Sequence, residues 1–447
     1  MTLTERDLEY PDPLRLDREI ARAAGELRRW RRRLRRGEGT LDDPFWAVRL
    51  VASRSAFRAI QTLPESDPLR PALLAWTYRL AEQRVDRLAI VRIAVERRHV
   101  EHVISEPERA RCTLAAMLDR ALSDPARRAG FLASFVGESE ALGDAVATLW
   151  ERRQEVAVRM GLGSPDEIES PGRGVVAAAE QWLGRTRDLL SEWKRDTLSG
   201  VLDTALAGGA TEGWPRHLLP RTVLEPFRST DLFRGLALDP GELPPLRAPA
   251  SFLRALSRLG AAWADATAPS DQPFVIAHDP YGLRRRTMGA LLGALPATLP
   301  FARRTMGVSA ARAPDYVRSL ALALLVESRA AALRVLLRPA ALAGRKAFRE
   351  AFEREVHRTF GVAVRPSAAG ALWQIHADDP QRFAGLLLSA ALSARLRDAH
   401  DEDWHRSPRA AEQLRDEARL SPERTTTSEA LARGADALHE LLARSIG

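Results

Sequence analysis

YGLRRRTMGALLGAL, residues 281–295, decides how this chain is read. Its apolar residues Met288, Leu291, Leu292 and Leu295 recur at spacings of three and four, which draws one buried stripe along a helix. Arg285 and Arg286 stand ahead of that stripe. A helix of this kind needs a partner for its apolar face. The nearest long apolar segment, DYVRSLALALLVESRAAALRVLL at 315–337, is expected to supply it, with the four apolar residues buried against helix 316–337.

The same periodicity runs through most of the sequence. Leu, Ala, Arg and Glu dominate, and runs of Val, Ile, Thr and aromatic residues are scarce, so the fold class is all-α. Helices are expected over Leu73–Val103, Val175–Leu206 and Phe252–Trp263, the last with Ser251 as its N-cap. No repeat of fixed period stands out, which argues against a helical solenoid. GLGSPDEIESPGRG at 161–174 is a turn-rich break whose DEIES begins a short helix. The seven prolines at 215, 220, 226, 240, 244, 245 and 249 exclude one continuous helix over 214–250. That stretch carries Leu218, Leu219, Val223, Leu224, Phe227, Leu232 and Phe233, too apolar for a free linker. The expected organisation is an N-terminal helical half, 1–213, a packed proline-rich connector, 214–250, and a C-terminal helical half, 251–447, around a cleft.

With 447 residues the chain can bury a sizeable core without disulfides. Its single cysteine, Cys112, has no internal partner and fits a reducing compartment. MTLTERDLEYPDP lacks the basic start and apolar core of a secretory signal, and no apolar run approaches the ~20 residues that span a bilayer. A cytoplasmic protein is expected. The net charge of +8 comes from arginine, since lysine occurs only at Lys194 and Lys346. A basic balance suits acidic partners, nucleic acid or anionic lipid, and says nothing of fold.

RRWRRRLRR, residues 28–36, concentrates that charge. Arg28, Arg29, Arg31, Arg32, Arg33, Arg35 and Arg36 surround a seam of Trp30 and Leu34, which are i and i+4. Clustered arginine beside tryptophan suits a nucleic-acid or anionic-surface contact. The plainer alternative, and the preferred one, is a solvated helix whose seam packs and whose arginines pair with Glu19, Glu26 and Glu38. His99 and His102 lie i, i+3, two ligands where zinc needs three or four. HDEDWH at 400–405 offers His400, Asp401, Asp403 and His405 in a polar stretch where solvated charge is the usual outcome. Neither HExxH, CxxC, GxxxxGK[ST] nor GxSxG occurs.

On these residues, 281–295 resembles the catalytic helix of the thimet oligopeptidase and oligoendopeptidase F family of zinc peptidases, written HExGHAxH. Gly289 falls on the family glycine and Leu291 on the alanine, so the first histidine falls on Arg286, the glutamate on Thr287 and the second histidine on Ala290. Asp315, Tyr316 and Val317 are similar to the lead-in of the family's third ligand, with Arg318 at the ligand glutamate. A shifted register puts Leu320 there and Glu327 on a later glutamate. Trp373, His376 and the helix from Phe383 resemble a further segment, from which the family's substrate-holding tyrosines are missing. TTTSEALARGADAL at 425–438 resembles its closing motif through Gly434 and Asp436. The resemblance spans about 160 residues and implies a thimet-oligopeptidase-like architecture.

It also implies lost chemistry, because arginine stays protonated and cannot ligate a metal, and threonine and alanine supply no substitute. The expectation is a ligand-less pseudopeptidase with no cofactor, binding a peptide or protein in a groove near Arg285, Trp373 and His376. Arg285, Arg286 and Arg318 would make that groove favourable for carboxylates, unless they are solvated or pair with Glu327 or Asp315. Two alternatives stand beside it: an active metallopeptidase with ligands drawn from His278, His376, His400 and His405, and a nucleic-acid or anionic-surface adaptor acting through the arginine run.

Overall fold

The protein is described by a computed structural model that covers residues 4–105, 125–138, 140–169, 174–191, 196–208, 224–225, 227–241, 243, 248–365, 376–419 and 426–446. Among the described residues there are nineteen α-helices and no strand, so the protein is all-α. None of these helices is long and apolar enough to cross a membrane. Cys112, Trp373, Lys194 and the prolines at 215, 220, 226, 244 and 245 lie outside the described residues, as do the side chains of Arg35 and His102.

The principal helices are α1 Pro13–Arg36, α2 Arg70–Ser105, α3 Glu140–Met160, α4 Val175–Arg185, α5 Pro249–Ala266, α6 Leu283–Ala294, α7 Ala313–Leu342, α8 Arg345–Phe360, α9 Asp379–His400 and α10 Ser428–Ile446. Local chemistry sets their ends. Asp12 accepts from the Leu14 N–H ahead of α1, Pro13 takes the first helical position, and Gly37 at φ +93° closes the helix where a side chain would strain. The helical stretch expected over 175–206 is broken: α4 stops at Thr186, Arg187–Ser191 forms a short separate helix, and Thr197 caps a new helix over Leu198–Ala207. α5 begins three residues before its expected start. Pro249 is its first residue, and Ser251 is not the cap but reaches back from the third position to accept from the Ala248 N–H at 2.9 Å.

One large core joins α4, α5, α6, α7, α9 and α10, with Trp182, Trp263, Leu292, Phe301 and Leu387 buried at its centre. Each such side chain contributes roughly 1.5–3 kcal/mol. Buried indoles keep their N–H satisfied: Trp263 donates to the Leu232 carbonyl at 2.8 Å and Trp182 to the Ser328 hydroxyl at 3.2 Å. Leu224, Phe227, Leu232 and Phe233 join this core, and the Phe227 ring meets Phe301 edge-on at 5.3 Å. A second core forms where α1 crosses α2, around Leu16, Ile20, Leu27, Trp30 and Leu34.

The decisive helix α6 behaves differently from expectation in one respect. Met288, Leu291, Leu292 and Leu295 are all buried. Their helix packs mainly on α5 and α9, whereas α7 meets the turn Leu295–Ala297 that follows. Glycine is the reason. A Cβ on Gly260 would lie 2.1 Å from the Met288 carbonyl oxygen, and one on Gly385 would lie 2.9 Å from Arg286 backbone and side-chain carbons. Bare backbone at these two crossings lets α5 and α9 approach α6 more closely than ordinary side chains permit.

Candidate functional site

A cavity of about 810 Å³ opens between α1, α2 and α3 on one side and α5, α6 and the start of α9 on the other. α1 offers it the stripe Ala24, Leu27, Arg28, Arg31 and Leu34, residues that share a face by their three- and four-residue spacing. α2 adds Trp76, Arg79 and Gln83, and α3 adds Val146, Leu149 and Arg153. Across the cavity stand Arg258 and Asp265 of α5, Arg284, Arg285 and Arg286 of α6, and His376, Asp378 and Arg382. Eleven arginines line the cavity against three aspartates, so its field is strongly positive.

Part of that charge is compensated. Asp378 is ion-paired with Arg286 and, at 3.1 Å, with Arg382. Burial would raise its carboxyl, but the two guanidiniums overcome that and hold it well below the usual carboxylate range. His376 is pushed well below its ordinary value, first by burial and then by Arg382, so its imidazole is neutral at physiological pH. Arg285 pairs with Asp265 at 3.3 Å, and Arg284 donates to the Thr267 hydroxyl at 2.9 Å.

Behind the floor lies a buried ionic network. Glu82, fully buried, pairs with Arg79 at 2.5 Å and Arg153 at 2.8 Å, and Arg153 also reaches Asp86 at 3.1 Å. Arg338 of α7 pairs with Glu169 and with Asp166. Burial favours the protonated form of each acid, and the outcome differs by neighbour. Glu82, between Arg79 and Arg153, stays below its ordinary value, whereas Asp86 is pushed up to about 7 and Glu169 to about 8. Arg79 Nε and Arg153 Nη1 remain buried without an acceptor.

Arg31 is the exception in this balance. It lines the cavity half-buried, with no ion-pair or hydrogen-bond partner among the described residues. Burial, then repulsion from Arg79, lowers its guanidinium to about 10. A charge held this way is costly in the absence of a counterion.

Of the residues singled out by sequence, Arg285, Arg286, His278 and His376 come together on the cavity wall. Thr287 and Ala290 sit farther along α6, the threonine donating to the Leu283 carbonyl at 3.0 Å. Arg318 and Glu327 of α7 are exposed and do not line the cavity; Glu327 instead pairs with Arg334 at 3.7 Å. His400 bonds Gln413 at 2.7 Å, and His405 is buried among Phe227, Phe301 and Trp404, so neither joins His278 and His376. Asp403 pairs with Arg304. Among the described residues no group of three His, Cys, Asp or Glu could hold a metal ion.

The arginine run divides. Trp30 and Leu34 pack as a seam. Arg29 pairs with Glu26, Arg32 with Asp239 and Arg33 with Asp42 on the surface, while Arg28 and Arg31 turn to the cavity. Sequence reasoning missed Arg79, Arg153 and Asp378 as site residues, and named Arg31 only within the arginine run as a nucleic-acid or anionic-surface contact. The available signal was Arg79, Glu82 and Asp86 at three- and four-residue spacing on a helix otherwise apolar over that face.

No family model matches the chain, and no curated protein matches its sequence. Among solved structures it is similar to Trypanosoma cruzi metallocarboxypeptidase 1, with 13% identity and a TM-score of 0.46 over 97% of this chain and 99% of that one. It is also similar to the BsuCP crystal structure, with 11% identity and a TM-score of 0.49 over 97% of each chain.

Proposed function

We propose that this is a non-catalytic, peptidase-like helical protein that holds an acidic peptide or protein segment in its arginine-lined cavity. In this reading 1–213 and 251–447 are the two jaws and 214–250 the connector between them. One observation carries the proposal: arginines from six helices converge on one cavity against three aspartates. Guanidinium groups are the side chains best suited to bidentate carboxylate recognition, and the apolar wall of Leu27, Trp76, Val146 and Leu149 suits the rest of a peptide. The positions that resemble a peptidase's ligands and base support the non-catalytic part, because Arg286 is ion-paired, Thr287 is bonded to its own helix and Ala290 has no donor.

Metal analysis of protein purified without a histidine tag, run beside a quenched-peptide library and an equilibrium assay with a fluorescent oligoglutamate peptide, tests this. The expected result is retention of the acidic peptide intact, with less than stoichiometric zinc. One zinc per chain with peptide cleavage, both lost in His376→Ala, would instead establish the metallopeptidase reading.

A further inference from the structure

The inference rests on the reading of the cavity as an anion site and goes on to the charge its ligand carries. Around the cavity floor, Arg31, Arg79, Arg153, Arg286 and Arg382 face Glu82, Asp86 and Asp378. Five guanidiniums against three carboxylates, of which Asp86 is pushed up to about 7 and so only partly ionised near neutral pH, leave an excess of at least two positive charges. Arg286 and Arg382 share Asp378, while Asp379, 3.9 Å from Arg382, is held more closely by Arg334 at 3.1 Å; Arg79 and Arg153 share Glu82, and Arg31 has no ion-pair or hydrogen-bond partner among the described residues. A monocarboxylate entering here would leave one charge uncompensated. A phosphate monoester or inorganic phosphate carries close to two charges on three acceptor oxygens clustered about one atom, which matches both the excess and its crowding.

We infer that the cavity floor binds a phosphate dianion, either free or as the phosphomonoester of a larger ligand, with Arg31 as the guanidinium that pairs with it directly. Arg31 is suited to the role because it faces the cavity half-buried with no partner among the described residues: Arg79 repels its charge, and the attraction of Asp378 and Glu82 does not offset burial. A bound dianion would supply the missing counterion. Arg28, one helical turn earlier on the same face and also without a partner among the described residues, extends the positive wall towards the opening.

The test is calorimetric titration of the full-length protein with inorganic phosphate, acetate and succinate, repeated on Arg31→Gln, Arg31→Lys and Arg32→Gln. Arg32 lies outside the cavity and pairs with Asp239. Phosphate should bind more tightly than either carboxylate. Arg31→Gln should weaken it about tenfold or more, Arg31→Lys less, and Arg32→Gln not at all, in keeping with the loss of one charged hydrogen bond. Thermal melts should show that the Arg31 variants fold. Two further arms separate the sources: a phosphoserine peptide binding more tightly than phosphate places the group on a polypeptide, and equal or weaker binding places it on a small molecule. Phosphate binding no tighter than acetate, or unchanged in Arg31→Gln, overturns the inference. If the oligoglutamate peptide binds and phosphate does not, the acidic-peptide reading stands alone; if neither binds, both fall.

Discussion

Arg286 and Asp378, 92 residues apart in the chain, are joined as an ion pair at the cavity wall. The position that resembles a zinc ligand is thus occupied by a cation whose partner is an internal aspartate. Asp378 is buried, while Arg286 is partly open, so Asp378→Asn should cost about 1 to 3 kcal/mol, less than a fully buried pair. It should also raise phosphate affinity, since it removes one of three lining aspartates. A urea titration and a phosphate titration read the two effects; an unchanged urea midpoint would mean that Asp378 does not hold the wall.

The glycine contact between α5 and α6 predicts a packing cost with an unusual cause. Gly260→Ala places a methyl group 2.1 Å from the Met288 carbonyl oxygen, where backbone must move, and should cost at least the 1 to 3 kcal/mol typical of overpacking. Leu292→Ala, at a fully buried site, should cost about 2 to 5 kcal/mol by leaving a cavity. Chemical denaturation measures both, and a loss below about 0.5 kcal/mol in either would contradict the packing described.

Asp86 and Glu169 make stability fall with rising pH. Both carboxyls bind their protons more tightly folded, at about 7 and about 8, than at their ordinary 3.8 and 4.5. Their contribution is complete below those ordinary values and is lost as pH rises through 7 and 8. Between about pH 4.5 and 7 the unfolding free energy should decline, by at most about 1.4 kcal/mol per pH unit for each proton the folded form retains, and it should level off above about pH 8. Asp86→Asn, which mimics the protonated form, should flatten the decline. An equal slope in wild type and variant would remove Asp86 as the source.

The two sides of α1 should respond oppositely to loss of charge. Changing Arg29, Arg32 and Arg33 together to Gln removes exposed pairs with Glu26, Asp239 and Asp42, each contributing ~0 to 1 kcal/mol, and should lower the melting temperature slightly. Arg31→Gln removes a charge that lacks a partner among the described residues and should leave the melting temperature unchanged or raise it. A fall of about ten degrees for Arg31→Gln would reveal a stabilising partner.

The helical class was legible because spacing alone reports it: the stripe Met288, Leu291, Leu292, Leu295 is buried, and Trp30 and Leu34 form their seam. Pairing was less legible. α7 is the most apolar long segment near α6, yet α5 and α9 are its main neighbours, because Gly260 and Gly385 decide the approach and a glycine in sequence does not name the helix that will cross it. The candidate site was half legible. Arg285, Arg286 and His376 lie on the cavity wall, but Arg31 could not be told from its surface neighbours Arg29, Arg32 and Arg33 without knowing which face of α1 meets α2. Arg79 and Arg153 were hidden for a related reason: their partners Glu82 and Asp86 mark them as buried only once α2 and α3 are side by side.

The crossing at Gly260 and Gly385 works as a ratchet with a single tooth. If α6 slid one residue along α5, or rotated to bring another side chain under Gly385, a Cβ would meet backbone instead of empty space. Arg284, Arg285 and Arg286 therefore ride on an element held by close backbone contacts on two sides, although they occupy its first turn, where helices usually fray. The consequence is kinetic. An anion arriving at that wall meets guanidiniums whose backbone is already set, so capture should proceed as a single bimolecular step whose rate follows ionic strength, with no slower ordering phase behind it.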